Sequence, residues 1–237
     1  MLEEAIVLAG GLGLRLKEVL KDVPKPLADI NGRPFIDYLL KNLIQQGMKK
    51  IIIAAGCQHE KIREFLEKYY HDFPLIYSIE DVPLGTGGAV KKALNFVSDN
   101  CNHVFVFNGD SYINVCLRKF YEFHLSKNSD LSLCLKFMQD SSRYGAVTFD
   151  SQRQIKGFKE KIQAKSGFIN AGVYLLNKEW FHGLQLADRF SLEKDVLEKY
   201  YSQSQFYGVI GKGYFIDIGA PCDYERAKKE LKDEFSS

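Results

Sequence analysis

The sequence predicts an α/β fold: a mixed, mainly parallel sheet flanked by helices, with a small antiparallel lobe toward the C-terminus. Three observations carry this. Up to about residue 130, short β-branched runs alternate with amphipathic stretches. The runs IIIAA and VFVF are apolar without alternation, as strands buried on both faces are. Farther on, DLSLCLKF, YGAVTFD, QIKGFKE and INAGVYLLN are strand-like segments separated by short polar turns, which favours antiparallel pairing.

Taken in order, EAIVLA is the first strand and FIDYLLKNLIQQG the first long helix. In that helix Phe35, Leu39 and Leu43, and likewise Ile36, Leu40 and Ile44, recur at helical spacing, and Gly47 stands where a left-handed cap would end it. KKIIIAA, FPLIYSI and HVFVFNGD are the next strands, with HEKIREFLEKYY and GGAVKKALNFV as the helices between them. At the far end SLEKDVLEKYY and DYERAKKELKDEF are helical by period and charge pattern, separated by FYGVIGKGYFIDIG. No repeat, low-complexity tract or Pro-rich linker interrupts the chain, so a single domain spanning 1–237 is expected, with parts 1–130 and 131–237.

The chain has 237 residues, 46% hydrophobic and 26% charged, values of a soluble globular protein and too apolar for disorder. Its 32 basic and 30 acidic residues leave a net charge of +2, without the basic excess that nucleic-acid binding by counterion release requires. The five cysteines are odd in number and form no C-x-x-C pair, which argues for a reducing compartment and for small buried hydrophobes. The five histidines show no zinc-ligand spacing. The N-terminal MLEEAIVLAGG carries acids where a signal peptide carries cations, and no run is long enough to span a membrane, so the cytoplasm is the expected location.

In an open parallel sheet, ligands bind where strands give way to loops at their carboxyl ends. GGLGLRL follows the first strand. Its Gly10, Gly11 and Gly13 can bring bare backbone N–H groups to a phosphate, with Arg15 as a fork of donors. Alone, the loop is equally a tight strand-to-helix turn with a solvated arginine. It is neither a Walker A loop nor a complete G-x-G-x-x-G fingerprint, because Leu16 holds the third glycine's place. Pro24-Lys25-Pro26 fixes a lysine between two residues of locked φ, which by itself also suits an exposed turn. Asp110 ends the apolar VFVFNGD and Asp217 follows YFI; sharing a hard cation such as Mg2+ suits both, while a helix cap for Asp110 and a lysine partner for Asp217 stay open.

Together and in this order, LAGGLGLRL with PKP after it, GRPFIDYLL, IEDVPLGTGGA, FNGD, YGAV, FKEK, INAGVY and IDIGAP resemble the sugar-1-phosphate nucleotidyltransferases, or nucleotide-sugar pyrophosphorylases, over nearly the whole chain. Within that family the combination of DVPKP, GRPF and PLGTGGA looks most like the heptose-1-phosphate guanylyltransferases. The resemblance implies the Rossmann-like nucleotide-diphospho-sugar transferase fold, with a nucleotide-binding part at 1–130 and a sugar-phosphate-binding part at 131–237. It implies attack of a sugar 1-phosphate on the α-phosphorus of an NTP, with release of pyrophosphate. Leu8, Gly10, Gly11 and Gly13 would hold the nucleotide and its phosphates, and Arg15 and Lys25 would neutralise the triphosphate. Glu80, Gly85, Thr86 and Gly87 match the segment that meets base and ribose; a carboxylate at Glu80 accepts from guanine N1–H and N2–H, which favours GTP. Asp110 and Asp217 match the Mg2+-binding aspartates, with Asp110 also counted as catalytic. Gly145, Glu160, Lys161, Asn170 and Gly172 match the sugar-phosphate pocket.

One departure is Leu14, where the family usually has Thr or Ser. Alternatives kept open are a uridylyl- or thymidylyltransferase for a hexose or amino-sugar phosphate, a mannose-1-phosphate guanylyltransferase, and a silent regulatory subunit; against the last, Arg15, Lys25, Asp110 and Asp217 are all present. The chain stops soon after its last helix, so an appended acetyltransferase domain is not expected. Relatives often dimerise, which leaves a homodimer open.

Overall fold

The structure, a computed structural model, describes residues 3–11, 16–56, 58–141, 144–159 and 166–231. The strands are β1 (Glu4–Leu8), β2 (Asp29–Ile30), β3 (Arg33–Pro34), β4 (Lys50–Ala55), β5 (Leu75–Ile79), β6 (His103–Asn108), β7 (Ser111–Ile113), β8 (Leu131–Met138), β9 (Ala146–Phe149), β10 (Ile155–Lys159), β11 (Gly167–Asn177), β12 (Phe206–Ile210) and β13 (Phe215–Asp217). The α-helices are α1 (Lys17–Leu20), α2 (Phe35–Gln45), α3 (His59–Tyr69), α4 (Gly85–Ala93), α5 (Leu117–Ser126), α6 (Lys178–Gly183), α7 (Glu198–Tyr200) and α8 (Pro221–Glu230).

Among the described residues, nine strands form one sheet. β5, β4, β1 and β6 lie side by side and parallel, and β11 continues the sheet antiparallel to β6. β8 pairs antiparallel with β11, and the β9–β10 hairpin joins β11 through Ile169 opposite Ala146. The antiparallel strands anticipated after residue 130 therefore extend the same sheet. β12 adds to β8 in parallel, a pairing that the turn pattern did not announce.

The unbroken apolar runs are explained by burial on two sides. Ala5, Val7, Ile51, Ile53, Phe105 and Phe107 face α2, α3 and α5, while Ile6, Ile52, Val104 and Val106 face α4 and the segment around Phe190. Each of these Val, Ile and Phe side chains contributes roughly 1.5–3 kcal/mol by leaving water. A third cluster joins Leu16, Ile30, Phe35, Tyr112, Ile216 and Tyr224, packing α2 and α8 around the separate ribbon β7–β13. α2 ends as its sequence requires: Gly47 takes φ +94°, and Met48 N–H reaches the Leu43 carbonyl at 3.1 Å.

SLEKDVLEKYY is helical but not uniformly so, because Leu192–Leu197 is a turn of π-helix. The wider turn brings Leu192 and both Val196 and Leu197 to the buried side. Of the cysteines, Cys101 and Cys134 are buried as expected, whereas Cys116 and Cys222 are exposed. Cys116 stands just before the first turn of α5 and Cys222 lies in the first turn of α8, positions that do not face the core. Cys57 lies outside the described residues. No helix among the described residues is long and apolar enough to cross a membrane.

A chain of hydrogen bonds ties α5 to β6, β8 and the turn before β8. His124, fully buried, lies 3.0 Å from His103 Nδ1 through Nε2 and 2.9 Å from Ser132 Oγ through Nδ1. Ser132 Oγ donates to Ser129 Oγ at 3.0 Å, which donates to the Gln205 carbonyl at 2.9 Å. That direction of donation requires the proton of each ring on Nδ1. Burial, then the neighbouring His103, pushes the His124 pKa down to about 3. The unfolded chain takes up a proton near pH 6.5 that the folded chain refuses, so this stability is complete above about 6.5 and is lost as pH falls toward 3, about 2–3 kcal/mol by pH 4.5. In thermal melts, His124→Gln should lose less Tm than the wild type between pH 7 and 4.5. Equal losses would contradict the assignment.

Candidate active site

Three loops converge at the carboxyl edge of the parallel strands. β1 runs into Gly10 and Gly11, β5 into Glu80, and β6 into Gly109 and Asp110. Backbone bonds fix their exits: Ala9 N–H to the Ala54 carbonyl at 2.7 Å, Glu80 N–H to Ala55 at 2.9 Å, and Gly109 N–H to Leu8 at 2.9 Å. At Gly109 a Cβ would lie 2.6 Å from the Leu8 carbonyl oxygen, so only glycine lets the two strand ends run this close.

A cavity of about 330 Å3 opens between these loops. Its wall includes Leu8, Gly10, Gly11, Lys25, Glu80, Gly85, Thr86 and Asp110, all singled out from sequence, and also Asn108, Pro26, Pro83 and Ala89. The apolar members and the exposed glycine backbone make a slot that suits a flat ring, with Glu80 as its acidic group. Glu80 Oε2 accepts from Leu84 N–H at 2.9 Å, which orients the carboxylate. Burial raises the Glu80 pKa, against the pull of the Leu84 bond and of Lys92.

Lys25 and Asp110 form the charged end of the cavity, and beside Asp110 lies the ribbon of β7 and β13, whose Asp217 does not itself line the cavity. The two strands pair antiparallel with Asp217 opposite Ser111, and Ile218 N–H donates to the Asp110 carbonyl at 2.9 Å. The two acids are thus held side by side, Asp110 in the turn directly before β7 and Asp217 at the end of β13. Lys25 Nζ donates to Asp110 Oδ2 at 2.7 Å, and its side chain is only 11% exposed. Asp217 Oδ1 accepts from Gly219 N–H at 2.6 Å. Burial, then the charge of Asp110, drives the Asp217 pKa up to about 6, although Lys25 pulls it down. The lysine partner left open for Asp217 in the sequence belongs to Asp110, and Asp110 leads into β7 rather than capping a helix.

The remaining anticipated residues divide. In β11 the pairing with β8 shifts between Asn170 and Tyr174, and Gly172 takes φ +73° there. A Cβ at Gly172 would sit 2.7 Å from both Asn108 Nδ2 and Ser111 Oγ, so the bulge presses against the Asp110 loop. Asn170 Oδ1 accepts from Gly172 N–H at 3.0 Å, which holds the bulge. Gly145 is exposed immediately before β9, whose Ala146 faces Ile169, beside Asn170. Gly87 departs from expectation because it does not line the cavity. A Cβ there would strike the Phe190 ring at 2.2 Å, and Gly87 N–H donates to the Phe190 carbonyl at 3.1 Å. Its lack of a side chain admits the 188–192 segment against α4. Gly13, Arg15, Glu160 and Lys161, and the departure at Leu14, lie outside the described residues.

Two residues escaped the sequence reading. Asn108, inside the quoted FNGD motif, lines the cavity with Oδ1 buried and lacking a partner among the described residues. An amide directly before an acid at a strand end was the signal available. Glu193 receives Thr86 Oγ1 at 2.7 Å and Ser191 Oγ at 2.9 Å on Oε2. No local pattern marked it, since it comes from a distant helical turn. Among the described residues no three His, Cys, Asp or Glu side chains gather as a closed metal site, whereas Mg2+ commonly takes one or two carboxylates and completes its shell with phosphate oxygens and water.

Comparison with known proteins agrees with this architecture. Residues 4–234 match the Nucleotidyl transferase family. The D-glycero-alpha-D-manno-heptose 1-phosphate guanylyltransferase of Aneurinibacillus thermoaerophilus is 46% identical over 229 residues, covering 97% of this chain and 98% of that protein. The protein of the same name from Campylobacter jejuni subsp. jejuni serotype O:2 is 42% identical, covering 93% of this chain and 96% of its own. The crystal structure of HddC from Yersinia pseudotuberculosis complexed with GMP-PN superposes with a TM-score of 0.87 at 36% identity, over 98% of this chain and 100% of that one. With a strand-end cavity, an acid pair and a family match over nearly its whole length, the chain belongs to the nucleotidyl transferase family.

Proposed function

We propose that this chain transfers a guanylyl group from GTP to a heptose 1-phosphate, giving a GDP-heptose and pyrophosphate. The observation that carries the reading is one cavity with an oriented carboxylate, Glu80, in its apolar slot and Lys25 and Asp110 at its charged end, with Asp217 close enough to Asp110 to feel its charge. The names of the two guanylyltransferase relatives and the GMP-PN bound to the Yersinia protein support guanine and heptose as the substrates. In this reading residues 1–130 serve the nucleotide and 131–237 the sugar phosphate within one domain, acting in the cytoplasm where NTPs are made.

Guanine enters the slot with N1–H and N2–H toward Glu80, which the Leu84 amide keeps in place. Gly10 and Gly11 leave backbone open to the phosphates. The sugar phosphate approaches from the β11 bulge, where Gly172 abuts Asn108 and Ser111 and Asn170 holds the Gly172 amide. Its oxygen attacks the α-phosphorus, the new P–O bond forms, and the bond to the bridging oxygen breaks with its electron pair leaving on pyrophosphate. A phosphate monoester has a second pKa near ~6, so the nucleophile is already an anion at neutral pH and needs no general base. The obstacle is repulsion between two polyanions. Lys25, held beside the acids in the free protein, is placed to turn its charge onto a phosphate oxygen.

Asp110 and Asp217 fit Mg2+ by their hard oxygen donors and by the energetic strain of two acids held side by side. Bound there, the ion would neutralise phosphate charge and align the triphosphate.

The test is an activity matrix of four NTPs against several sugar 1-phosphates, read as pyrophosphate release. GTP with heptose 1-phosphate should give the highest kcat/KM, and Glu80→Gln should lower it on the order of 10- to 100-fold while affecting UTP or dTTP less. A clear preference for CTP, UTP or dTTP would refute the guanine assignment.

The acid pair also predicts a cost. The folded chain keeps a proton on Asp217 up to about pH 6 that the unfolded chain releases near its ordinary value, so stability falls as pH rises through that window and the penalty is full above it. In chelator-treated protein Asp217→Asn, which retains an acceptor for Gly219 N–H, should raise Tm at pH 7.5 by on the order of 5 °C and leave it unchanged near pH 4. A lower Tm at pH 7.5 would mean that Asp217 serves the fold.

A further inference from the structure

The assigned nucleotide and sugar-phosphate residues are joined by one line of hydrogen bonds that the reaction itself does not require. It starts at the β11 bulge, where Asn170 Nδ2 donates to Tyr174 Oη at 2.8 Å. Tyr174, 1% exposed, donates in turn to Glu193 Oε1 at 3.4 Å. The other oxygen of Glu193 takes the hydroxyls of Thr86 at 2.7 Å and Ser191 at 2.9 Å. Thr86 Oγ1 accepts from Leu192 N–H at 2.9 Å, and Thr86 itself lines the cavity. Glu193 therefore stands where the two lines meet, on the π-turn, with an acceptor for each side.

We propose that Glu193 is a positioning residue that couples occupancy of the sugar-phosphate subsite to occupancy of the nucleotide cavity. Tyr174 Oη accepts from Asn170 while giving its one proton to Glu193. When a ligand takes up the Asn170 amide, that polarising donor is lost, the Tyr174 bond to Glu193 weakens, and the carboxylate turns. Oε2 turns with Oε1, so the Thr86 hydroxyl on the cavity wall is displaced as well. The packing allows little slack, since a Cβ at Gly85 would lie 2.5 Å from the Phe190 carbonyl and one at Gly88 2.3 Å from that of Asp188. Lys91 Nζ further pins that segment through the Leu186 carbonyl at 3.0 Å and Asp188 Oδ1 at 3.0 Å. A shift of Glu193 is thus passed to α4 and not absorbed by a loop. Coupling of this kind is reciprocal between the two ligands.

This inference rests on the guanylyl-transfer reading above, and the experiment separates the two. The probe is a GTP analogue with nitrogen in place of the α,β-bridging oxygen, titrated calorimetrically with Mg2+ present, with and without saturating heptose 1-phosphate. In the wild type the sugar phosphate should change the analogue's Kd by about fivefold or more. Glu193→Gln, which keeps the shape but loses the double acceptor, should reduce that factor to less than about twofold, with the analogue's Kd alone moving less than the coupling does. Thr86→Val, which removes the hydroxyl from Glu193 Oε2 and keeps the carboxylate, should do the same, and Thr86→Ser, which keeps the hydroxyl, should retain the coupling. A wild type that binds the analogue without coupling, or variants that keep the full factor, overturns the role of Glu193 alone. A wild type that does not bind the analogue overturns the guanylyl reading, and this inference with it.

Discussion

Two carboxylates, one in the turn before β7 and one at the end of its partner strand β13, close enough that one raises the pKa of the other, are the constraint around which this protein is organised. Such a pair is unfavourable in isolation, because each acid resists the ionisation of its neighbour. It persists because Tyr112 and Ile216 of the β7–β13 ribbon are locked with Leu16, Phe35 and Tyr224 in one apolar cluster, which leaves the acids no route apart. Lys25 relieves the repulsion in part, and the prolines on either side hold that lysine where it is needed. A polyphosphate with its cation meets a site whose charges are already gathered, so little reorganisation is left for the moment of reaction.

The large sheet delivers the other components to that ribbon. Parallel β1, β5 and β6 bring their carboxyl ends to one edge, which accounts for a glycine-rich exit, an oriented acid and Asp110 around a single cavity. β11 lies next to β6 in the same sheet and bulges beside Asn108 and Ser111, bringing a strand of the C-terminal part against the acid loop. The glycines of the GTGG run serve a different end. Gly85, Gly87 and Gly88 let the 188–192 segment lie directly on α4, and through Thr86 and Glu193 that contact becomes part of the site's wall.

What the sequence made legible follows from how local each signal is. The apolar runs of β1, β4 and β6 could belong only to strands covered on both faces, and Gly47 marked the end of α2 by the positive φ it adopts. Asp110 was visible because an acid closing a buried strand needs an opening or a partner, and it has both. The meeting of Asp110 with Asp217 was suggested by two acids that each close an apolar segment and was supported by the resemblance, although no spacing relates β7 to β13. The parallel addition of β12 to β8 was hidden for the same reason: strand propensity does not carry direction. Gly87 carries a second constraint that its local motif did not show, because the ring of Phe190 from a distant segment packs where a Cβ would stand. Glu193 carried no sign at all, because its partners are three hydroxyls contributed by a helix, a strand and a turn.

The central claim is that Asp110 and Asp217 act as one site for a divalent ion presented with the nucleotide. Its most direct test is anomalous diffraction from crystals grown with Mn2+ and an unreactive GTP analogue. The account predicts a single strong manganese peak in contact with both carboxylates and the triphosphate, with Lys25 moved from Asp110 onto phosphate oxygen. Manganese bound by the triphosphate alone, with Lys25 still paired to Asp110 and no ion between the acids, would contradict it.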